Sequence, residues 1–367
     1  MKTIATLCSG GEGVGVGAQD AGIHHLWGIE YDDSIAQVAR NNGFNVVTAD
    51  VTTIDPSQFE RPDGMHASPP CPHFSLANSQ ARESIEDIAI AKAIVRFIET
   101  LAPRVFTLEN VWGYRKSESW RLVINALNRL GYWTDVQHLN AADFGVPQIR
   151  KRMIVRSVLD GWYPPLPRPE PWRGWYSVIE DLIPGLPDSQ FAPWQIARLP
   201  ESLLKAVFND ARPWRGVRRD DEPAHTVTCC NGGGTFSRAF LVSGGNSNNL
   251  TIRDADEPAN TVVSTSGEKG TYPRAFVLNR ANTNGVNGNQ LTVREQNEQM
   301  FTVTAQYVKN HIRAALHGRV VRMTPRCLAR FQSFPNSYIL PEIASLAVTV
   351  IGNAVPSLMY QRIIEQL

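Results

Sequence analysis

Short apolar runs alternate with stretches of helical periodicity along roughly the first 160 residues. Thr3-Ile4-Ala5-Thr6-Leu7-Cys8 reads as a buried strand, and the stretches around Leu26–Ile29 and Asn45–Thr48 as two more. Between those two, a helix is expected over Ser34–Asn41. Met65 and Ala67 read as a strand end, Ile85 to Leu101 as a helix, and Arg104 to Leu108 as another buried strand. Trp120 to Leu130 places Leu122, Val123, Ala126, Leu127 and Leu130 on one helical face, and Gly131 caps it. Pro147 to Val155 mixes apolar residues at 149, 153 and 155 with basic ones, as a strand with one basic side would. Repeated strand–helix units of this kind predict an α/β fold built on a doubly wound, mostly parallel sheet.

The pattern changes after about residue 160. Residues 161–175 are rich in proline and tryptophan and read as a linker, with a short helix expected over Ser177–Ile183. From 210 to 318, helical periodicity gives way to Gly, Asn, Thr and Ser. Here Asp221-Glu222-Pro223-Ala224-His225-Thr226-Val227 recurs as Asp256-Glu257-Pro258-Ala259-Asn260-Thr261-Val262, with a weaker copy over Glu298–Val303. Each copy is followed by a similar segment, at Arg238–Leu241, Arg274–Val277 and Arg313–Leu316. Three β-rich units stacked into a small second domain are the expectation. Helical character returns at the end: Thr324-Pro325 reads as a helix start, and Ile351-Gly352-Asn353-Ala354-Val355-Pro356 as a turn before a terminal helix. The expected division is 1–175, 176–318 and 319–367.

The chemistry sits in the loops. Cys71 lies between prolines at 69, 70 and 72, so its loop is stiff and neither helix nor central strand. Two readings stand side by side: a buried small hydrophobe, or a nucleophile held at the carboxyl end of a strand. Ser9-Gly10-Gly11-Glu12-Gly13-Val14-Gly15 joins a strand to a helix start, as in a nucleotide-type cofactor loop or a merely structural turn. Glu30, Asp50 and Glu109 each close a strand; acids placed so can hold ribose hydroxyls or simply cap helices.

Net charge is +1, so the global balance does not announce a nucleic-acid partner. Local charge does. Six basic residues stand against Asp160 and Glu170 from Gln148 to Arg173, and four arginines surround Trp214 from Arg212 to Arg219. The five cysteines lack metal-ligand spacing, so neither a disulfide framework nor a metal site is expected. Without a long apolar run or signal-like start, a cytoplasmic protein is expected.

In this order, LCSGGEGVGVGAQDAG, the Glu30 and Asp50 strand ends, SPPCPHFS, LENV, PQIRKR, TPRCLARFQSFP and IGNAVP resemble the DNA (cytosine-5)-methyltransferases. The resemblance runs over essentially the whole chain. It implies the class I, Rossmann-like fold of S-adenosylmethionine-dependent methyltransferases, with a target-recognition domain where the repeats lie. It implies that Cys71 is the nucleophile on cytosine C6, that Glu109 contacts N3 and the exocyclic amine, that Asn110 orders the Pro-Cys loop, and that Arg150 and Arg152 support the loop and the base. Those arginines would also favour the thiolate. For the cofactor it implies Cys8, Ser9, Gly10, Gly11, Glu12, Gly13, Glu30, Tyr31, Asp50, Val51, Pro69, Asn353 and Val355. For DNA it implies Ser75 and Gln148, with Thr226, Thr261, Arg238 and Arg274 of the repeats choosing the sequence. Partners implied are double-stranded DNA, with nucleoid association through it, and a separately acting cognate restriction endonuclease where one exists. A monomer is expected.

Four positions depart from the family's usual pattern: Cys8 for Phe, Glu12 for Gly, Pro72 for Gln and Cys327 for Glu. The first two touch the cofactor loop. Two other functions compete with DNA methylation: an RNA cytosine methyltransferase on the same core, and a non-enzymatic DNA-binding relative. The long repeat-bearing region disfavours the former, and the intact set Cys71, Glu109 and Arg152 the latter.

Overall fold

Strands β1 (Thr3–Leu7), β2 (His24–Glu30), β3 (Val46–Thr48), β4 (Gly64–Ala67) and β5 (Val105–Asn110) run parallel in the computed structural model. The structure describes residues 1–74, 82–189, 239–243, 251–254, 257–260, 274–278 and 318–367. β6 (Trp133–Asn140), β7 (Gln148–Ile149) and β8 (Lys151–Val158) follow. The seven-stranded sheet has the order β3-β2-β1-β4-β5-β8-β6, and β8 is antiparallel to both neighbours. The expected sheet is therefore present. The basic segment after Pro147 is not one strand, because it breaks at Arg150 into β7 and β8.

Strand alternation separates two apolar layers. Ala5 and Leu7 of β1 face a core with Met65, Phe106, Leu108 and Val155, covered by α3 (Ile85–Leu101) and α4 (Glu118–Arg129) through Ile94, Phe97, Val123 and Leu127. Ile4 points the other way, to α1 (Gly13–Asp20) and the terminal helix. Each large side chain buried in these layers contributes roughly 1.5–3 kcal/mol. α3 starts on a capping box, Ser84 with Asp87, worth about 1 kcal/mol. α2 (Asp33–Asn41) starts on Asp32, whose carboxylate accepts from the Ser34 and Ile35 amides. Past α4, Gly131 adopts φ +85°, the left-handed end that glycine tolerates.

The chain after Gly318 supplies α5 (Pro325–Phe331), α6 (Ala344–Asn353) and α7 (Ser357–Ile364). Val355, Tyr360 and Ile364 pack on Ile4, Val14 and Ala18, so the last helix completes the layer begun by the first. The helix expected at 177–183 does not form. Two short 3₁₀ turns, Tyr176–Val178 and Ile183–Gly185, stand there, and Pro184 has no backbone N–H to donate to a preceding helical turn.

The chain divides into two compact units. The first comprises Met1–Ile179, Asp256–Gly270 and Pro325–Leu367, and the second Glu180–Ala255 and Thr271–Thr324. In the second, β9 (Ala239–Ser243), β10 (Thr251–Asp254), β12 (Arg274–Leu278) and β13 (Gly318–Arg322) form an antiparallel sheet of order β10-β9-β12-β13. The segments that follow the first two repeat copies pair here, with Phe240 opposite Phe276. The second copy itself behaves differently: β11 (Ala259–Asn260) pairs in parallel with β7, inside the first unit.

Candidate active site

The sheet reverses its winding between β1 and β4. At such a point the loops at the carboxyl ends of the strands diverge and leave a crevice. Every acid and thiol singled out in the core lies at that end: Cys8 after β1, Glu30 closing β2, Asp50 after β3, Cys71 after β4 and Glu109 near the end of β5.

The loop after β1 is tight. Cys8, Gly10 and Glu12 adopt φ of 52°, 57° and 60°. The Ser9 amide donates to the Ile29 carbonyl, and the Gly10 amide donates to Glu30 Oε2 at 2.8 Å. The other Glu30 oxygen accepts from the Asp32 amide at 3.0 Å. Burial raises the Glu30 carboxyl above its ordinary range. Burial, then the charges of Glu30 and Asp50, push the Cys8 thiol up to about 12. The thiol is thus neutral and stands near both carboxylates. Asp50 also accepts from the Thr52 amide and hydroxyl. Val51 is buried, whereas Tyr31 is 76% exposed.

Two glycines set how closely the loop meets the carboxyl-terminal segment. A Cβ on Gly11 would lie 2.3 Å from Val350 Cγ1, and one on Gly13 would lie 2.4 Å from the Val355 carbonyl. Tyr338 donates its hydroxyl to the Gly11 carbonyl at 2.5 Å. Gly13→Ala is therefore expected to destabilise the protein by about 1–3 kcal/mol, because backbone must move to admit the methyl group; urea denaturation measures it. Asn353 is exposed at the end of α6, while Val355 is buried against the loop. Gln332 donates to the carbonyls of Ile351 (2.6 Å) and Ala354 (3.0 Å), which fixes the turn between α6 and α7. Nothing in local patterning singled out Tyr338 or Gln332; their partners are distant in the chain.

The Cys71 loop is held from several sides. Asn110 Nδ2 donates to the buried Pro69 carbonyl at 2.9 Å, as the resemblance implied for Asn110. After Cys71 the chain makes one 3₁₀ turn, Pro72–Phe74, in which the Phe74 amide donates to the Cys71 carbonyl. His73 Nδ1 lies 2.7 Å from Asp87 Oδ2, and Phe74 packs edge-on to Tyr114. Beneath the loop, buried His66 bridges the Thr107 and Ser68 hydroxyls at 2.8 Å each, and burial keeps it neutral by pushing it down to about 3.

Glu109 is 6% exposed. Arg152 Nε sits 2.9 Å from Glu109 Oε1, and Arg150 Nη2 sits 4.0 Å away. The closer contact has ion-pair distance without hydrogen-bond alignment, so Oε1 keeps an open acceptor direction. Arg150 is buried and donates to the Gly352 carbonyl at 3.1 Å. Burial, then Arg152, push it down to about 9, where it stays charged at neutral pH.

Arg152 and Arg150 pull the Cys71 thiol toward the thiolate, as expected, but they do not set the net balance. Burial and then the Glu109 charge raise Cys71, and the opposing pull of Arg152 and Arg150 does not reverse that. The net direction is upward, so the thiolate is not favoured in this state. Gln148 is fully buried, and both its amide atoms lack a partner among the described residues. β11 runs alongside it, with Ala259 in register with Gln148. Arg274 lies on β12, in register with Arg322 and Val242. Ser75, Thr226, Arg238 and Thr261 lie outside the described residues.

The residues fit the implied cofactor. A Cβ on Gly10 would meet no atom within 4 Å, so open space lies on that side of the loop. Beside it, the Ser9 hydroxyl is buried without a partner.

The chain matches the model of the C-5 cytosine-specific DNA methylases over residues 2–170 and 244–367. Type II methyltransferase M1.HphI of Haemophilus parahaemolyticus is 30% identical over 198 residues, covering 50% of this chain and 53% of that protein. Type II methyltransferase M.NaeI of Lentzea aerocolonigenes is 32% identical over 190 residues, covering 49% and 45%. The matched stretch thus spans about half the length of these two relatives. Type II methyltransferase M.AgeI of Thalassovita gelatinovora is 24% identical over 432 residues, covering 100% of this chain and 99% of that protein. Among solved structures, Entamoeba histolytica methyltransferase EhMeth aligns with TM-score 0.58 at 12% identity, over 100% of this chain and 97% of that one. Spodoptera frugiperda DNMT2 aligns with TM-score 0.59 at 14% identity, over 100% and 99%. These structures show the fold, that of class I methyltransferases. With the family model spanning both the cofactor-loop half and the carboxyl-terminal return that closes on it, the chain belongs to the C-5 cytosine-specific DNA methylases.

Proposed function

We propose that this protein methylates C5 of a cytosine in double-stranded DNA, with S-adenosylmethionine as donor and a covalent Cys71–C6 adduct as intermediate. The observation that carries the reading is one cluster at one sheet edge: Cys71 close enough to Glu109, Arg152 and Arg150 to feel their charges, with the arginines gathered on the carboxylate. Cytosine C5 is a poor nucleophile. Addition of the Cys71 sulfur to C6 places electron density on C5, and Glu109, facing N3, stabilises the ring as that density moves. Glu109 must be protonated or share a proton with N3 to do so. When Glu109 takes up that proton as the base binds, the charge that raises the thiol is neutralised, so proton uptake would favour the thiolate. Bound S-adenosylmethionine supplies the methyl group. Loss of the C5 proton then lets the Cys71 sulfur leave.

Glu30 and Asp50 hold the cofactor's ribose and adenine, and the loop from Cys8 to Gly13 lies against it. The target base sits inside a duplex, so it is flipped out at a cost of a few kcal/mol. Contacts from the basic segments and from the stretch 176–318 offset that cost and choose the site. Partnership with a separately acting restriction endonuclease fits the Type II relatives.

Mapping of methylated cytosines in DNA from cells that express the chain tests the activity: 5-methylcytosine at a fixed short sequence is expected, and DNA without it sinks the reading. For the cofactor, Glu30→Ala and Asp50→Ala should each weaken S-adenosylmethionine binding by roughly 1–3 kcal/mol in calorimetry, the usual penalty for leaving a polar partner unpaired. No loss in either variant means that the loop has another role.

A further inference from the structure

Beneath the cofactor loop lies a polar cluster that the proposed chemistry does not use. Glu12 is 0% exposed. Its Oε1 accepts from the Thr6 hydroxyl at 2.6 Å and lies 3.0 Å from His25 Nε2, while its Oε2 is buried without a partner. Thr6 and His25 are 3.2 Å apart and both buried. The three residues come from β1, the loop and β2, so the carboxylate joins the cofactor loop to the two strands that flank it. The surroundings are shaped to admit it. A Cβ on Gly28 would stand 2.2 Å from Oε1, and one on Gly15 would stand 2.8 Å from Oε2. The Phe44 ring meets His25 edge-on at 5.2 Å.

The backbone makes the arrangement more telling. Glu12 has φ 60° and ψ 40° and precedes the first residue of α1. Glutamate is uncommon there and glycine is at ease. A strained residue with a buried charge persists when the tertiary bonds to that charge hold it.

We infer that Glu12 is a positioning residue of the cofactor loop, a staple whose carboxylate, gripped by Thr6 and His25, orders Ser9 to Gly13 and so sets S-adenosylmethionine affinity as a function of pH. The cofactor half of this inference rests on the function proposed above. His25 is the one cation that faces the carboxylate among the described residues. The other titratable groups that sense Glu12 are the hydroxyls of Tyr338, beside the loop, and Tyr360 on α7, both pushed up mainly by burial. Burial lowers His25, but the charge and hydrogen bond of Glu12 outweigh it, and the net direction is upward. A raised histidine contributes its stabilisation fully below its unfolded value and loses it as pH rises through the folded value. Above that value, Glu12 is left with a neutral partner and an orphan oxygen, and the loop opens to hydrate it.

Hydrogen exchange of the Ser9–Gly13 amides in the cofactor-free full-length protein tests this, corrected for intrinsic rates, from about pH 6 to about pH 8.5, where histidine changes charge. Calorimetry with S-adenosylmethionine over the same range accompanies it. Protection and affinity should both fall by about threefold or more across the range in the wild type. His25→Gln keeps a donor to Oε1 but cannot titrate, and Glu12→Gly keeps the turn without the charge; both should give flat profiles. A flat wild-type exchange profile, or an unchanged slope in His25→Gln, overturns the staple. Sloping exchange with no cofactor bound at any pH supports the staple and overturns the cofactor reading instead.

Discussion

Cys71→Ser should lower methyl transfer by about 10⁴-fold or more while S-adenosylmethionine affinity changes little. Serine keeps the size and place of the side chain, but its hydroxyl is a far weaker acid and nucleophile than a thiol. The surroundings of Cys71 sharpen the loss. Burial and Glu109 already raise the thiol, so a hydroxyl in the same place would be harder still to ionise. The backbone that aims residue 71 should survive, because Asn110 holds the Pro69 carbonyl and the His73–Asp87 contact fixes the following turn. Single-turnover methylation and calorimetry measure the two quantities separately. Duplex DNA carrying 5-fluorocytosine at the target should form an irreversible adduct with the wild type, because fluorine cannot leave C5 as a proton does, and none with the serine variant. Turnover near that of the wild type in Cys71→Ser would sink the covalent mechanism.

Glu109→Gln should move two observables in opposite directions. Methyl transfer should fall by about 10²–10⁴-fold, the usual contribution of a positioned acid. Alkylation of Cys71 by iodoacetamide in DNA-free protein should become faster, by about threefold or more at neutral pH. The sign follows from the charges around the sulfur. Glu109 raises the thiol, and Arg152 and Arg150 lower it. Without the carboxylate charge, Arg152 also loses the partner at 2.9 Å that occupies it. Both changes enlarge the thiolate fraction. Peptide mapping isolates Cys71 from the other cysteines. Slower alkylation in this variant would mean that Glu109 does not hold the thiol in its protonated state, and that the link between base binding and thiolate formation is wrong.

Much of the frame could be read from the chain itself. The parallel strands have apolar runs, and α3 spans the residues its pattern predicts, Ile85 to Leu101. The acids that close β2 and β5 and the proline-flanked thiol are visible because strand, loop and helix alternate over short distances, where periodicity and turn chemistry act. The motif order from the glycine loop to IGNAVP pointed to the family that the family model confirms. The helix expected at 177–183 does not form, because a seven-residue stretch carries little helical drive of its own and Pro184, without a backbone N–H, removes more.

Other features depend on residues that meet only after folding. The protonated bias of Cys71 arises because burial weakens the charged form and because folding brings Glu109, some forty residues along the chain, close to it, against the pull of Arg152 and Arg150. The burial of Gln148 and the pairing of β7 with β11 join positions more than a hundred residues apart. So does the Tyr338 hydroxyl on the Gly11 carbonyl. Glu12 shows the division most plainly. In the chain it is a glutamate where a glycine is usual; its place in a buried cluster with Thr6 and His25 is set by the pairing of β1 with β2 and by the space left at Gly15 and Gly28. Local pattern determines which residues can form a strand, a turn or a helix. Charge, protonation and close packing depend on what lies across the gap, and only the tertiary structure decides that.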